Sequence, residues 1–140
     1  MQINAYLNFD GQCEEAFQFY AKTLGGKIEG LFRYADSPMA GDVPADWGQR
    51  VMHVRLQVDG NELMGSDNDP RRGTEGPAKR FCMSIGVKDP GEATRIFNTL
   101  TEGGSVQMPV QKTFWSAAFG MGVDRFGIPW MVNCEAPHQQ

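Results

Sequence analysis

YLNFDGQCEEAFQFYAKTLGGKIE, residues 6–29, decides how the whole chain is read, because its grammar returns in SIGVKDPGEATRIFNTLTEGGSVQ, residues 84–107. Each segment passes from an alternating strand through a turn into a helix carrying a Glu-Ala pair, at Glu15-Ala16 and Glu92-Ala93. Each then halts at a glycine pair, Gly25-Gly26 or Gly103-Gly104, where a left-handed residue ends a helix at little cost, and resumes as a strand. In the second helix Asp89 can cap, Pro90 suits the first helical position and Glu92 completes a capping box. Ala93, Ile96, Phe97 and Leu100 follow at i, i+3, i+4 and i+7 as one apolar stripe. Cys13, Ala16, Phe17, Tyr20 and Leu24 give the first helix its stripe, and its N-cap stays open between Asp10 and Gln12.

Three strand-like runs follow each helix. They start at Lys27, Arg50 and Asn61 in the first half, with Asp59-Gly60-Asn61 as a hairpin turn, and at Ser105, Phe114 and Ile128 in the second, with a turn over Asp124-Arg125-Phe126-Gly127. The expected architecture is α+β: one domain, 1–140, made of two βαβββ modules at about 1–67 and 80–135, joined by a linker at 68–79. Residues 35–49 and 67–79 are rich in Pro, Gly and Asp and read as surface loops.

Composition narrows the function classes. A chain of 140 residues with 41% hydrophobic content can bury a core. Thirteen basic against seventeen acidic residues, with no basic cluster beyond Arg71-Arg72, leave no electrostatic footprint for nucleic acid. No apolar run approaches the roughly 18 residues that span a bilayer, and the start of the chain lacks a signal pattern, so a soluble cytoplasmic protein without membrane contact is expected. Cys13, Cys82 and Cys134 are odd in number, far apart and set in apolar context, which reads as reduced thiols rather than a disulfide frame or zinc knuckle.

With CEEAFQFYAKTLGG in the first half and DRFGIPWMVNCE closing the second, the tandem βαβββ chain resembles the vicinal-oxygen-chelate superfamily of glyoxalases, fosfomycin- and bleomycin-resistance proteins and extradiol dioxygenases. YLNFDGQCEEAFQFY, VMHVRL, LMGSD and FWSAAFGMGVDRFGIPWMVN look like its PhnB-like branch, whose members often carry the name of a demethylubiquinone methyltransferase. No glycine-rich loop follows the first strand to cradle a nucleotide cofactor, so the residues themselves do not support that activity. The resemblance implies that each module curls its mixed sheet into an open cup with the helix on the convex side.

Alternation assigns the two faces. Leu7, Phe9, Val54, Leu56, Ile85, Val87, Trp130, Val132 and Cys134 take the helix side, which turns Tyr6, Asn8, His53, Arg55, Arg80, Cys82, Ser84, Met131 and Asn133 into the cup. Joined by Trp115 and Phe119, these residues form the mixture that stacks on and hydrogen-bonds a small polar or anionic ligand. The expected ligand-binding set is Tyr6, Asn8, His53, Arg55, Arg80, Ser84, Trp115, Phe119, Met131 and Asn133. His53 has three readings, as a hydrogen-bonded core residue, a general acid/base or a metal ligand. Asp59 and Asp124 read as turn formers, and Glu62 as an exposed edge residue near the cup rim.

The resemblance also implies where metal-using relatives hold an ion: on the first, fourth, fifth and eighth strands, here Asn4 (Ala5 without a gap), Met64, Arg80 and Met131. A two-residue shift of register substitutes Cys82 or Asn133. Two thioethers and a guanidinium suit no hard divalent ion, so neither metal nor other cofactor is expected. The expected function is binding of a small polar or anionic molecule in a metal-free cup. The alternatives are a divalent-metal lyase, isomerase or transferase acting on vicinal oxygens, and a dimerising module without a ligand. A homodimer is expected from open strand edges near Trp47, Met39 and Phe32.

Overall fold

Both repeats form the elements their patterns call for. The structure, a computed structural model, describes residues 2, 4–38, 40–67, 82–113 and 116–135. The chain divides into two compact units, Met1–Pro77 and Ala78–Gln140. The expected linker, 68–79, lies outside the described residues, as do Met39, Arg80 and Trp115.

In the first unit β1 (Ala5–Phe9) leads into α1 (Cys13–Leu24), followed by β2 (Lys27–Arg33), β3 (Val51–Val58) and β4 (Asn61–Asp67). The sheet order is β1-β4-β3-β2, with β1 parallel to β4 and the remaining pairs antiparallel. The second unit repeats the plan with β5 (Met83–Val87), α2 (Pro90–Leu100), β6 (Ser105–Gln111), β7 (Ser116–Val123) and β8 (Pro129–Glu135), ordered β5-β8-β7-β6. Each is a four-stranded mixed sheet with one helix packed on it, and neither sheet closes.

Each core lies between sheet and helix. In the first unit Leu7, Phe9, Val54, Leu56 and Leu63 meet Cys13, Ala16, Phe17 and Tyr20, all buried. Gly65 on β4 is required by this packing, since a Cβ there would stand 2.6 Å from the Phe17 ring and 2.8 Å from the Leu7 carbonyl oxygen. In the second unit Ala93, Ile96, Phe97 and Leu100 pack with Ala118, Trp130, Val132 and Cys134. The expected stripes therefore hold, except that Thr23 is buried and Leu24 only half-buried.

The helix ends differ. Asp89 caps α2 through its own carboxylate, which accepts from the Glu92 N–H at 2.9 Å. The N-cap of α1 is Gln12, which makes no side-chain cap. The cap comes instead from Asp67 at the far end of β4, whose Oδ1 accepts from the N–H groups of Gly11 at 2.8 Å and Cys13 at 3.0 Å. Gly25 ends α1 in the expected left-handed conformation, with φ 71°. In α2 the C-cap is Thr101 with right-handed geometry, and the left-handed Gly103 follows in the next turn.

Candidate functional site

Register fixes which side chains share the sheet face away from α1. Tyr6 on β1 pairs with Met64 on β4, which pairs with Arg55 on β3. His53 pairs with Phe32 on β2, and Asn8 with Ser66 on β4. Side chains directly across a ladder point to one side, so Tyr6, Asn8, Met64, Arg55, His53 and Phe32 lie on a common face. The expected first-module residues are therefore together.

Tyr6 and His53 belong to strands separated by β4, yet their side chains meet over it. The phenol oxygen is 3.1 Å from His53 Nδ1, and the rings stack at 5.7 Å between centroids with 29° between planes. Whether the phenol donates to Nδ1 or accepts from it, the bond orients the ring and leaves Nε2 as its second polar atom. Beside them Arg55, its side chain 46% exposed, pairs with Glu62 at 3.7 Å. Glu62 is half-buried, which corrects its reading as an exposed edge residue: the long Arg55 side chain covers it. Tyr6 at 43% and Phe32 at 52% are among the most exposed large hydrophobic residues described. The face thus combines two open rings, an oriented imidazole and a guanidinium.

On the second unit, the face away from α2 has a different chemistry. Ser84 pairs with Met131 and Met131 with Met121, while Gly86 pairs with Asn133 and Asn133 with Phe119. Ser84, Phe119, Met131 and Asn133 are therefore brought onto one face, as their alternation requires. Met108 on β6 lies across from Met121.

Asp67 is the buried residue that sequence reasoning missed. It is 1% exposed, and besides its two bonds to the start of α1 its Oδ2 accepts from the Val51 N–H at 2.9 Å. Its backbone oxygen accepts from the Tyr34 hydroxyl at 2.7 Å. The sequence carried no signal for it, because Asp10 and Gln12 both stood as local N-cap candidates and the Asp67 contact spans 54 positions. Tyr34 in turn meets Trp47 edge-on, and Arg50 lies 4.2 Å over the Trp47 ring while pairing with Asp10 at 2.9 Å. Trp47 is buried in this cluster, so it is not available at a strand edge as the dimer argument supposed.

Cys13 heads α1, a position that lowers a thiol pKa when solvent reaches it. Here burial, reinforced by the charges of Asp67 and Glu14, pushes the thiol far up, which removes it as a nucleophile at neutral pH. Asp124 is buried and serves its turn: Oδ1 accepts from the N–H groups of Phe126 and Ile128, and Oδ2 from Trp130 Nε1 at 2.8 Å. Both carboxylates are thus structural.

The donor set implied for a metal does not fit a hard divalent ion. Met64 and Met131 contribute thioethers on the two open faces, and Asn4 offers an exposed amide. Among the described residues no three of His, Cys, Asp and Glu gather to hold an ion.

A family model described as 3-demethylubiquinone-9 3-methyltransferase matches residues 1–133. Protein YjdN of Escherichia coli K12 is 28% identical over 141 residues, covering 95% of this chain and 95% of its own. The crystal structure of protein PA1353 from Pseudomonas aeruginosa is 51% identical, covers 96% of this chain and 98% of its own, and superposes with a TM-score of 0.87. A Bacillus cereus structure described as a putative 3-demethylubiquinone-9 3-methyltransferase, PhnB protein, matches at 24% identity and TM-score 0.78, over 96% of this chain and 99% of its own. The fold extends to a glyoxylase/bleomycin resistance protein/dioxygenase domain from Frankia sp. EAN1pec, 13% identical over 96% of this chain and 95% of its own, with a TM-score of 0.61. Tandem sheets and family match agree: the fold is that of the glyoxylase/bleomycin resistance protein/dioxygenase domain, and the chain belongs to the family described as 3-demethylubiquinone-9 3-methyltransferase.

Proposed function

We propose that this chain binds a small polar or anionic molecule on the open face of its first sheet. The observation that carries the reading is the Tyr6–His53 pair, held over β4 at 3.1 Å, with Arg55 on the same cross-strand row as Tyr6. A sheet face that only meets water has no need of two side chains locked across an intervening strand. Here the lock presents an aromatic surface and an oriented imidazole next to a guanidinium, a combination that stacks on a planar group and pairs with a carboxylate, phosphate or sulfonate. In this reading His53 serves as a hydrogen-bonding residue, its ring oriented by the Tyr6 phenol.

Methyl transfer, named in the family description, draws no support from the start of α1. The connection Asp10-Gly11-Gln12 holds one glycine, and the N–H groups of Gly11 and Cys13 are already taken by Asp67. The helix terminus that would cradle a cofactor's anionic group is filled by the chain's own carboxylate. A thermal-shift titration with benzoate and with inorganic phosphate tests the binding reading. The wild type is expected to melt higher with at least one of them, and Arg55→Ala to lose most of that gain through loss of a charge-assisted bond worth about 1.5–3 kcal/mol. Equal responses in both proteins, or none in either, would remove this face as the site.

A further inference from the structure

Among the described residues, two buried side-chain oxygens lack a hydrogen-bond partner, Thr113 Oγ1 and Asn133 Oδ1. Thr113 lies outside any strand, beside residues 114 and 115, which are not described. Asn133 stands in the middle of β8, on the face away from α2, with Gly86 across on one side and Phe119 on the other. The adjoining row runs Ser84–Met131–Met121–Met108, and all three of its methionines are half-buried. An amide oxygen withdrawn from water and given no donor in return is a rare arrangement, and it calls for a partner from outside the chain. Its neighbours say what kind. Thioethers are polarizable and conform to flat rings, and the missing bond asks for a single donor.

We propose that this face of the second sheet receives a flat, apolar or heteroaromatic portion of a small molecule, and that Asn133 Oδ1 accepts a hydrogen bond from one N–H or O–H on it. The inference deepens the binding reading above and rests on it. It adds a ligand class: an aromatic body with a donor on its edge. Met121 and Met131 supply the contact area, with the buried Phe119 ring behind them, and Asn133 sets the selectivity, because a buried acceptor left unpaired discriminates strongly against a ligand that lacks the donor.

The test titrates the full-length protein, with 13C-labelled methionine methyl groups, with indole and with 1-methylindole, which differ in the single N–H. Indole is expected to shift the methyl signals of Met121 and Met131 saturably and to bind about tenfold more tightly than 1-methylindole. In Asn133→Leu the preference is expected to vanish while the methyl shifts persist; the variant removes an orphaned acceptor and so is expected to fold at least as stably as the wild type. Equal binding of the two indoles to the wild type, a preference that survives in Asn133→Leu, or methyl signals unmoved by either probe would overturn the proposal. Benzoate is titrated into the same sample. A benzoate response at the methyl of Met64, which lies across the ladder from Arg55, without an indole response overturns only the donor-ligand inference, whereas loss of both responses also removes the binding reading.

Discussion

The two units share strand order and helix placement and differ in what they leave uncovered. The first unit presents Tyr6, His53, Arg55 and Phe32 away from its helix, a face of rings and charge, while the second presents half-buried Met121, Met131 and Asn133 around a buried Phe119, a face of thioethers with one amide. One repeat pattern thus builds two chemically distinct surfaces, because the helix-side alternation that fixes the fold leaves the other side free to vary. The helix starts differ in the same manner. By sheet register Cys134 stands beside Val87 where Asp67 stands beside Phe9, so the second unit has no distant carboxylate at that place and α2 relies on Asp89.

The largest expected effect probes that contrast. Asp67→Ala removes the acceptor for the N–H groups of Gly11, Cys13 and Val51 and leaves all three buried or half-buried without it. A loss of about 3 kcal/mol or more in urea unfolding is expected. A loss no greater than that of Asp89→Ala would erase the difference between the helix starts. Next comes Gly65→Ala, whose Cβ would press on Phe17 and the Leu7 carbonyl, at an expected cost of about 1–3 kcal/mol by the same measurement. Asp89→Ala, which deletes a single local cap, should cost about 1 kcal/mol.

The smallest effect is a pH dependence. The Arg33 guanidinium, bonded to Glu14 at 2.7 and 3.0 Å, holds that carboxyl below its ordinary value of 4.5. A depressed folded pKa stabilises the native state above the unfolded value, and that contribution is lost as pH falls below about 4.5 through the folded value. Because both side chains are partly exposed, the gain is no more than about 1 kcal/mol, and Glu14→Gln should flatten the acid limb of the melting curve by that amount. An unchanged acid limb would show the pair to be neutral.

Most of the fold was legible because it rests on periodicity: the helix stripes, strand alternation and turns such as Asp59-Gly60, with φ 47° and 81°, are local signals. The same alternation turned Tyr6, His53 and Arg55, like Met131 and Asn133, away from the helix side of their sheets. Contacts made across an intervening strand were beyond it. Tyr6 and His53 are 47 positions apart and separated by β4, and Asp67 reaches Cys13 over 54 positions. Glu62 was misread for a related reason, since whether a strand-end carboxylate is covered depends on where a long cross-strand neighbour lies. Arg80 and Trp115, expected beside these residues, lie outside the described structure.

The most direct test of the charged face is a benzoate titration followed through the side-chain nitrogen signals of His53 and Arg55. Saturable shifts of the Arg55 Nε–H and of the His53 ring nitrogens are expected, with Tyr6→Phe weakening binding and Arg55→Ala weakening it about tenfold or more. If the nitrogen signals of both residues stay unmoved while benzoate binds elsewhere, or if it does not bind at all, the charged face of the first unit is not a ligand site.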